Sequence, residues 1–278
     1  MTRTVGKYGL RPTPLGLKWA LQFGAYVDLK ALPPIPKGAF GHMTAVTKPW
    51  DIYMNDQLGC CVVSGSQHNI RLWVAEGAGS DTVVFDDKST VSNYMLMGGY
   101  VPGDPDTDGG CDMVKAAEMW MKHGVIDANR NVHKIGAALQ LDCGPGYLNL
   151  DQLWYADYLF DGIGLGIGVT QEWEDDFAAG KPWDAADYNP RNIMGGHFVP
   201  LYARETSGGT MFGEIVTWGE PQSITESGLQ ICTNTVMVYA TQEKLHNGKD
   251  MEGLGWSDLR SDIRKVVSGR GLLAAHRL

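Results

Sequence analysis

The chain contains no run of eighteen apolar residues, so the sequence encodes no helix long enough to cross a bilayer. Its opening, Met1-Thr-Arg-Thr-Val-Gly-Lys, lacks the apolar core of a secretion signal. A soluble protein with no export signal is the expectation. Basic clusters are missing before the last twenty residues, and the formal charge is −9, which argues against a nucleic-acid partner. The five cysteines (60, 61, 111, 143 and 232) are an odd number with no C-x-x-C pair and no metal-like spacing. Adjacent Cys60 and Cys61 cannot easily bridge each other, so a disulfide scaffold is not expected, and a reducing compartment or incidental thiols are. No internal repeat or low-complexity tract is visible, and neither a metal nor a cofactor is expected.

What remains is a chain of 278 residues, 44% hydrophobic and 20% charged, long enough to bury a full core as one large domain or two lobes. Thirty-six glycines accompany nine Trp and eleven Tyr, which signals tight turns in a packed protein rather than disorder. Residues 1–48 read as an arm: an amphipathic piece over 15–29 (Leu17, Trp19, Leu21, Phe23, Tyr26), then Ala31-Leu-Pro-Pro-Ile-Pro-Lys-Gly. Prolines without amide donors favour extended chain, so the arm should lie over its own body or on a neighbouring molecule.

The stretch Asn55-Asp56-Gln57-Leu58-Gly59-Cys60-Cys61 is a polar turn running into a helical pattern marked by Val63, Ile70, Trp73 and Val74. A cysteine in the first turn of a helix meets unpaired N–H groups and the positive dipole end, which favours thiolate. Cys61 is therefore a candidate nucleophile; the alternative is a small buried residue. Residues 104–109 fit the opening D-x-D-x-D-G of a calcium loop, but its twelfth position holds Lys115 where a bidentate Glu is required. The same residues also make a glycine turn and a helix start, with a helix from Met113 to His123 closed by Gly124.

The second half changes character. Residues 162–169 alternate Gly with aliphatics, a strand with one face close against other backbone. No Lys-Ser/Thr follows, which discounts a phosphate loop. Further strands are expected over 197–203, 211–218 and 236–240, the first two joined by a hairpin at 206–210. The tail from 257 to 267 carries Leu259, Ile263 and Val266 on one helical face, then a basic end. His197 follows Gly195 and Gly196, which leave an open approach to its ring, and stands 136 positions after Cys61. Papain-type enzymes place their histidine about 130–150 residues after the cysteine, in that chain order.

On these segments the sequence resembles the papain-like cysteine peptidases, in a variant associated with phages and prophages. NDQLGCC resembles the turn into the nucleophile helix, and Asp108-Gly109-Gly110 the Asn-Gly-Gly loop that holds substrate backbone. GGHFV matches the histidine strand, and Ile215-Val216-Thr217-Trp218-Gly219 the Asn-Ser-Trp-Gly segment; together they span residues 55–219, about 60% of the chain. The resemblance implies an α+β fold of two lobes: a helical lobe (about 49–150) with Cys61 at a central helix N-terminus, and a β-rich lobe (about 151–242) carrying His197. Residues 243–278 form a C-terminal helix and basic tail.

It further implies Cys61 as nucleophile and His197 as base. Asn55, six residues before the cysteine, or Gln57 would donate to an oxyanion beside the Cys61 amide. Gly109, Gly110 and Gly196 would line the substrate edge, and Trp218 would cover the histidine. One departure stands out: the usual orienting Asn corresponds to Val216, leaving Thr217 or a backbone carbonyl to hold the ring. Cys60 points elsewhere on the first turn, and His68 fits a core position.

The implied function is a phage-encoded cysteine hydrolase of peptide or amide bonds, acting on a virion precursor or on cell-wall peptide. The alternative is a weakly active or inactive virion structural protein making assembly or oligomer contacts through residues 1–48, with a papain-fold inhibitor or peptide-binding module as a third possibility. Either location, host cytoplasm or virion, suits it.

Overall fold

The computed structural model describes residues 3–12, 22–23, 34–144 and 146–245. Residues 15–29 other than Gln22 and Phe23, and the tail at 257–267, lie outside that set.

The helix that carries the site, α1 (Cys61–Ala78), is buried on nearly every side and ends at Gly79 in the left-handed region (φ 67°). Several of its polar residues find partners inside, whereas the Asn69 amide has none. Arg71 donates to Asp81 at 2.7 Å, Thr90 bonds Gln67 at 3.2 Å, and His68 Nε2 meets the Asp51 carbonyl at 2.7 Å. Two further helices flank it. The first, α2 (Asp87–Gly98), begins with a reciprocal box between Asp86 and Ser89; the second, α3 (Met113–Lys122), is capped by Asp112 on the Lys115 amide. Gly124 (φ 87°) ends that helix, and a two-stranded ribbon of β2 (Val125–Ile126) and β3 (Val132–His133) follows.

The rest is one antiparallel sheet of seven strands. The edge piece β1 (Phe40–Gly41) pairs with β6. The main path runs β4 (Ala137–Leu141), β9 (Thr233–Ala240), β5 (Ile163–Thr170), β6 (Ile193–Ser207), β7 (Thr210–Thr217), β8 (Glu220–Thr225). Helices α4 (Leu150–Phe160), α5 (Gln171–Ala179) and α6 (Glu226–Cys232) interrupt these strands. One sheet face, with Leu165, Ile167, Val199 and Leu201, packs on Trp154, Trp173 and Phe177 of α4 and α5. The other face presents Phe198, Met237 and Tyr239 to Val63, Trp73 and Trp120 of the helical half.

The α+β division read from the sequence holds, but its halves are less pure than expected. Strand β4 lies within the helical half and joins the sheet through β9, while α4, α5 and α6 sit in the β-rich half. The alternating glycines of β5 also have a different use from the expected backbone approach. A Cβ at Gly164 would meet the Phe198 ring at 2.5 Å, and one at Gly166 the Met113 sulfur at 2.8 Å. They make room for large side chains. The amphipathic arm piece is represented by Phe23, fully buried edge-on to Phe160. The described proline stretch lies on its own chain, where Arg204 donates to the carbonyls of Gly38 (2.8 Å) and Pro36.

Helix α1 packs closely on β6 at Gly65. A Cβ on Gly65 would stand 2.2 Å from the Phe198 ring, and Phe198 is the neighbour of His197. Overpacking of this kind typically costs about 1–3 kcal/mol. Gly65→Val should lower the unfolding free energy by about that margin, seen as a lower urea midpoint at unchanged slope; an unaltered midpoint would show that the helix–sheet contact has slack.

Candidate active site

Cys61 is the first residue of α1, with Cys60 as N-cap. His197 lies in β6 opposite Ile167 of β5. Each side chain is only 1% exposed. His197 Nε2 meets the Thr217 hydroxyl at 2.9 Å, and its Nδ1 has no hydrogen-bond partner. A hydroxyl that accepts from Nε2–H leaves the Nδ1 lone pair free to take a proton, the tautomer being inferred from this network. Val216 points to the opposite side of β7, into a small cluster with Leu72 and Tyr202. Strand alternation thus sends 216 away from the histidine and 217 toward it.

Trp218 covers the imidazole, with ring centroids 4.8 Å apart at 31°. Its placement comes from a two-residue turn between Thr217 and Glu220, in which Trp218 (φ 48°) and Gly219 (φ 78°) both take positive φ. For a bulky residue that conformation costs about 1–3 kcal/mol, and such strain concentrates at functional sites.

The cleft is filled by the chain's own beginning. Lys7 donates its amide to the Asn55 carbonyl at 2.6 Å, and Asn55 Nδ2 returns a bond to the Lys7 carbonyl at 3.0 Å. Leu10 donates to the Gly196 carbonyl at 3.1 Å. Cys111 donates to Gly9 at 2.7 Å and accepts from Arg11 at 2.8 Å, a parallel bridge around Leu10. Tyr8 sets its ring edge-on to His197 (5.8 Å) and to Trp218 (6.0 Å), while its hydroxyl bonds Glu174. Glycines permit this approach: a Cβ on Gly9 would stand 1.7 Å from the Gly59 carbonyl oxygen, one on Gly110 2.0 Å from that of Gly9, and one on Gly195 2.6 Å from the Tyr8 ring.

The expected site residues are therefore distributed unevenly. Asn55, Gly110 and Gly196 contact the segment 7–10, and Thr217 and Trp218 contact His197. Gln57 is exposed on the turn before α1, and Gly109 has no atom within 4 Å of where its Cβ would lie. Asp108, not among the expected site residues, ties the parts together. It accepts from the Gly59 amide and from the Tyr94 hydroxyl, both at 2.8 Å, and Tyr94 in turn accepts from the Gly110 amide at 2.8 Å. No periodicity marks it. Tyr8, Gly9 and Leu10 escaped the sequence reading for a related reason: their pairing runs through backbone atoms. Cys60 turns its sulfur to the Tyr53 carbonyl, and His68 is a core histidine between Trp50 and Tyr53. The 104–107 segment is a single turn in which Asp104 accepts from the Asp106 amide, not a ring of cation ligands.

The expected thiolate is not what this closed arrangement favours. Burial raises the Cys61 thiol from 9.0 to about 11, against the opposing pull of the Phe198, Gly9 and Val62 amides. A shift of that size is about 3 kcal/mol, more than a helix terminus supplies at about 2 kcal/mol or less. Burial likewise lowers His197 to about 3. Both groups are neutral near pH 7, and no hydrogen bond joins them among the described residues.

No family model and no curated protein sequence matches this chain. Solved structures do resemble it. Procathepsin L 3 from the larval midgut of Tenebrio molitor matches at 14% identity and TM-score 0.58, over 86% of this chain and 76% of its own. Procathepsin B S9 from Trypanosoma congolense matches at 9% and 0.57, over 86% of each. Xylellain, a cysteine protease from Xylella fastidiosa, matches at 13% and 0.56, over 87% and 98%. The chain has the papain-like cysteine protease fold.

A thiol raised to about 11 exposes thiolate only as the pH climbs toward that value. Alkylation of Cys61 by iodoacetamide, followed by peptide mass spectrometry, should stay slow from pH 6 to 9 and rise above pH 10. Fast alkylation at pH 7 would contradict the closed arrangement.

Proposed function

We propose that this chain is a papain-type cysteine hydrolase of peptide or amide bonds, held latent by its own residues 6–11. The observation that carries the reading is the His197 ring, fixed at Nε2 by Thr217 and bare at Nδ1, one residue from the Phe198 amide that reaches the Cys61 sulfur. With the segment lifted away, water and substrate lower the desolvation cost, and the helix terminus and backbone amides then favour the thiolate.

In the open state His197 Nδ1 takes the proton from Cys61, and the sulfur attacks the substrate carbonyl carbon. The oxyanion is met by the Cys61 amide and by Asn55 Nδ2, which in the latent state donates to the Lys7 carbonyl instead. The tetrahedral adduct collapses to a thioester as the amine leaves with the proton from His197. Water, deprotonated by His197, then releases the acid and restores the thiol. Thr217 holds the ring in place, and its neutral hydroxyl stabilises imidazolium less than a carboxylate would. A slow enzyme is the consequence. A phage-encoded protein with a virion or cell-wall peptide substrate remains part of this proposal, carried by the resemblance of the sequence motifs.

One observation favours a second reading, a papain-fold structural protein with vestigial chemistry. Cys61 and His197 are sealed and share no hydrogen bond, and Val216 stands where an orienting Asn is usual. One experiment separates the two. Gly9→Val cannot seat beside Gly59 and should expel the segment. If the pair is competent, Cys61 labelling by a peptidyl electrophile at pH 7.5 should rise at least about tenfold in Gly9→Val and fall back in Gly9→Val/His197→Ala. Labelling that stays at the rate of an ordinary thiol in Gly9→Val, with the segment shown by limited proteolysis to be released, would favour the structural reading.

A further inference from the structure

At the far end of α1 from Cys61, fifteen residues and therefore about 22 Å along the helix, four separate pieces of chain bring charged groups together. His42 follows β1, Glu76 lies in the last turn of α1, Asp161 follows α4 and Lys244 follows β9. His42 Nδ1 stands 3.3 Å from Glu76 Oε1 and 3.3 Å from Asp161 Oδ1, and the three donor atoms all fall within 4.8 Å of one another. Tetrahedral zinc with bonds of about 2.0–2.1 Å separates neighbouring ligand atoms by about 3.3–3.4 Å. The spacing around His42 matches that figure.

Two further observations point the same way. Glu76 Oε1 is buried with no hydrogen-bond partner, although it faces His42. Asp157, 1% exposed, has no hydrogen bond at either carboxyl oxygen, and burial, followed by the neighbouring Asp161, pushes its carboxyl well above the usual range. Among the described residues one ammonium lies within bonding distance of these three carboxyl groups, Lys244 on Asp161 Oδ2 at 2.9 Å. Arg204 also senses Asp157, but its guanidinium is spent on the Gly38 and Pro36 carbonyls. Carboxylate oxygens left bare in a dry interior are costly unless a proton or a cation meets them.

We infer that His42, Glu76 and Asp161 form a structural divalent-cation site, suited to zinc by its one nitrogen and two oxygens, that staples β1, α1 and α4. Lys244 orients Asp161 from behind, through the oxygen that the cation does not use. The His42 side chain, 21% exposed, marks the route of entry. Asp161 adopts φ 46°, a left-handed backbone that aims its carboxylate inward at the end of α4.

The full-length protein, stripped with a chelator and dialysed, should bind one equivalent of Zn²⁺ by calorimetry and melt at a higher temperature when loaded. Glu76→Gln, which keeps the side-chain shape, and His42→Ala, at a partly exposed position, should each abolish that equivalent and the thermal shift. Lys244→Met should weaken binding roughly tenfold to a hundredfold. The equivalent must survive Cys61→Ala, which removes the alternative thiol ligand. Absence of stoichiometric binding, retention of it in both Glu76→Gln and His42→Ala, or its loss in Cys61→Ala would overturn the assignment.

Discussion

Everything in the candidate site depends on how closely α1 approaches β6. The sulfur sits on the first residue of a buried helix, and the imidazole sits on the sheet's longest strand. Their relation is fixed where the absent side chain of Gly65 admits the Phe198 ring. Phe198 serves twice: its ring sets the helix–sheet distance, while its amide reaches toward the Cys61 sulfur. Because interiors are close-packed, a shift at Gly65 is passed on toward the sulfur. The glycines of β5 act in the same sense, since Gly164 gives the other side of that ring its space.

The segment 7–11 occupies the cleft by backbone pairing, with little demand on side-chain identity beyond glycine at 9. Its bonds to Asn55, Cys111 and Gly196 satisfy amides and carbonyls that would otherwise face water or substrate. Such pairs are individually worth about 1 kcal/mol net, so the set holds the segment in place without locking it there. Tyr8 adds a ring against His197 and Trp218 and a hydroxyl bond to Glu174. The electrostatic consequence is larger than the mechanical one. Sealing the pair moves both groups toward neutrality, and the burial cost at Cys61 exceeds what the helix terminus returns. Occupancy of the groove and ionisation of the pair are therefore one equilibrium seen from two sides.

These features differ in how far the residues announce them. Cys61, His197 and Trp218 were legible because a helix start, a glycine-flanked strand and a Trp-Gly turn are each written in local residue types and fall in a telling order. Valine at 216 left two alternatives in the sequence, Thr217 or a backbone carbonyl, and the bond between Thr217 and His197 Nε2 is read from the structure. Asp108 was hidden inside what resembled the opening of a cation loop, and its bonds to Gly59 and Tyr94 join segments 49 and 14 positions away. The thiolate expectation failed for a physical reason: a helix terminus is a local property, whereas burial is set by residues 50 positions upstream. Helices α4, α5 and α6 escaped because they run for only 11, 9 and 7 residues, too short to show a sustained helical period.

The two ends of α1 make complementary use of the same helix. At its N-terminus, unpaired amides and a positive dipole end suit a sulfur that must become an anion. At its C-terminus the dipole is negative, and the chain places Glu76 there rather than a basic residue, beside Asp161 and near Asp157. That choice runs against the usual preference for cations at a helix end, and burial raises the Glu76 carboxyl to about 8. A positive charge supplied from outside the helix removes both penalties at once, whether it is Lys244 alone or Lys244 with a bound cation. On the proposed release of residues 6–11, the N-terminal end can open only if the C-terminal end stays anchored to β1 and α4. An α1 held rigidly at Glu76 would keep the Gly65–Phe198 contact in register through that proposed release.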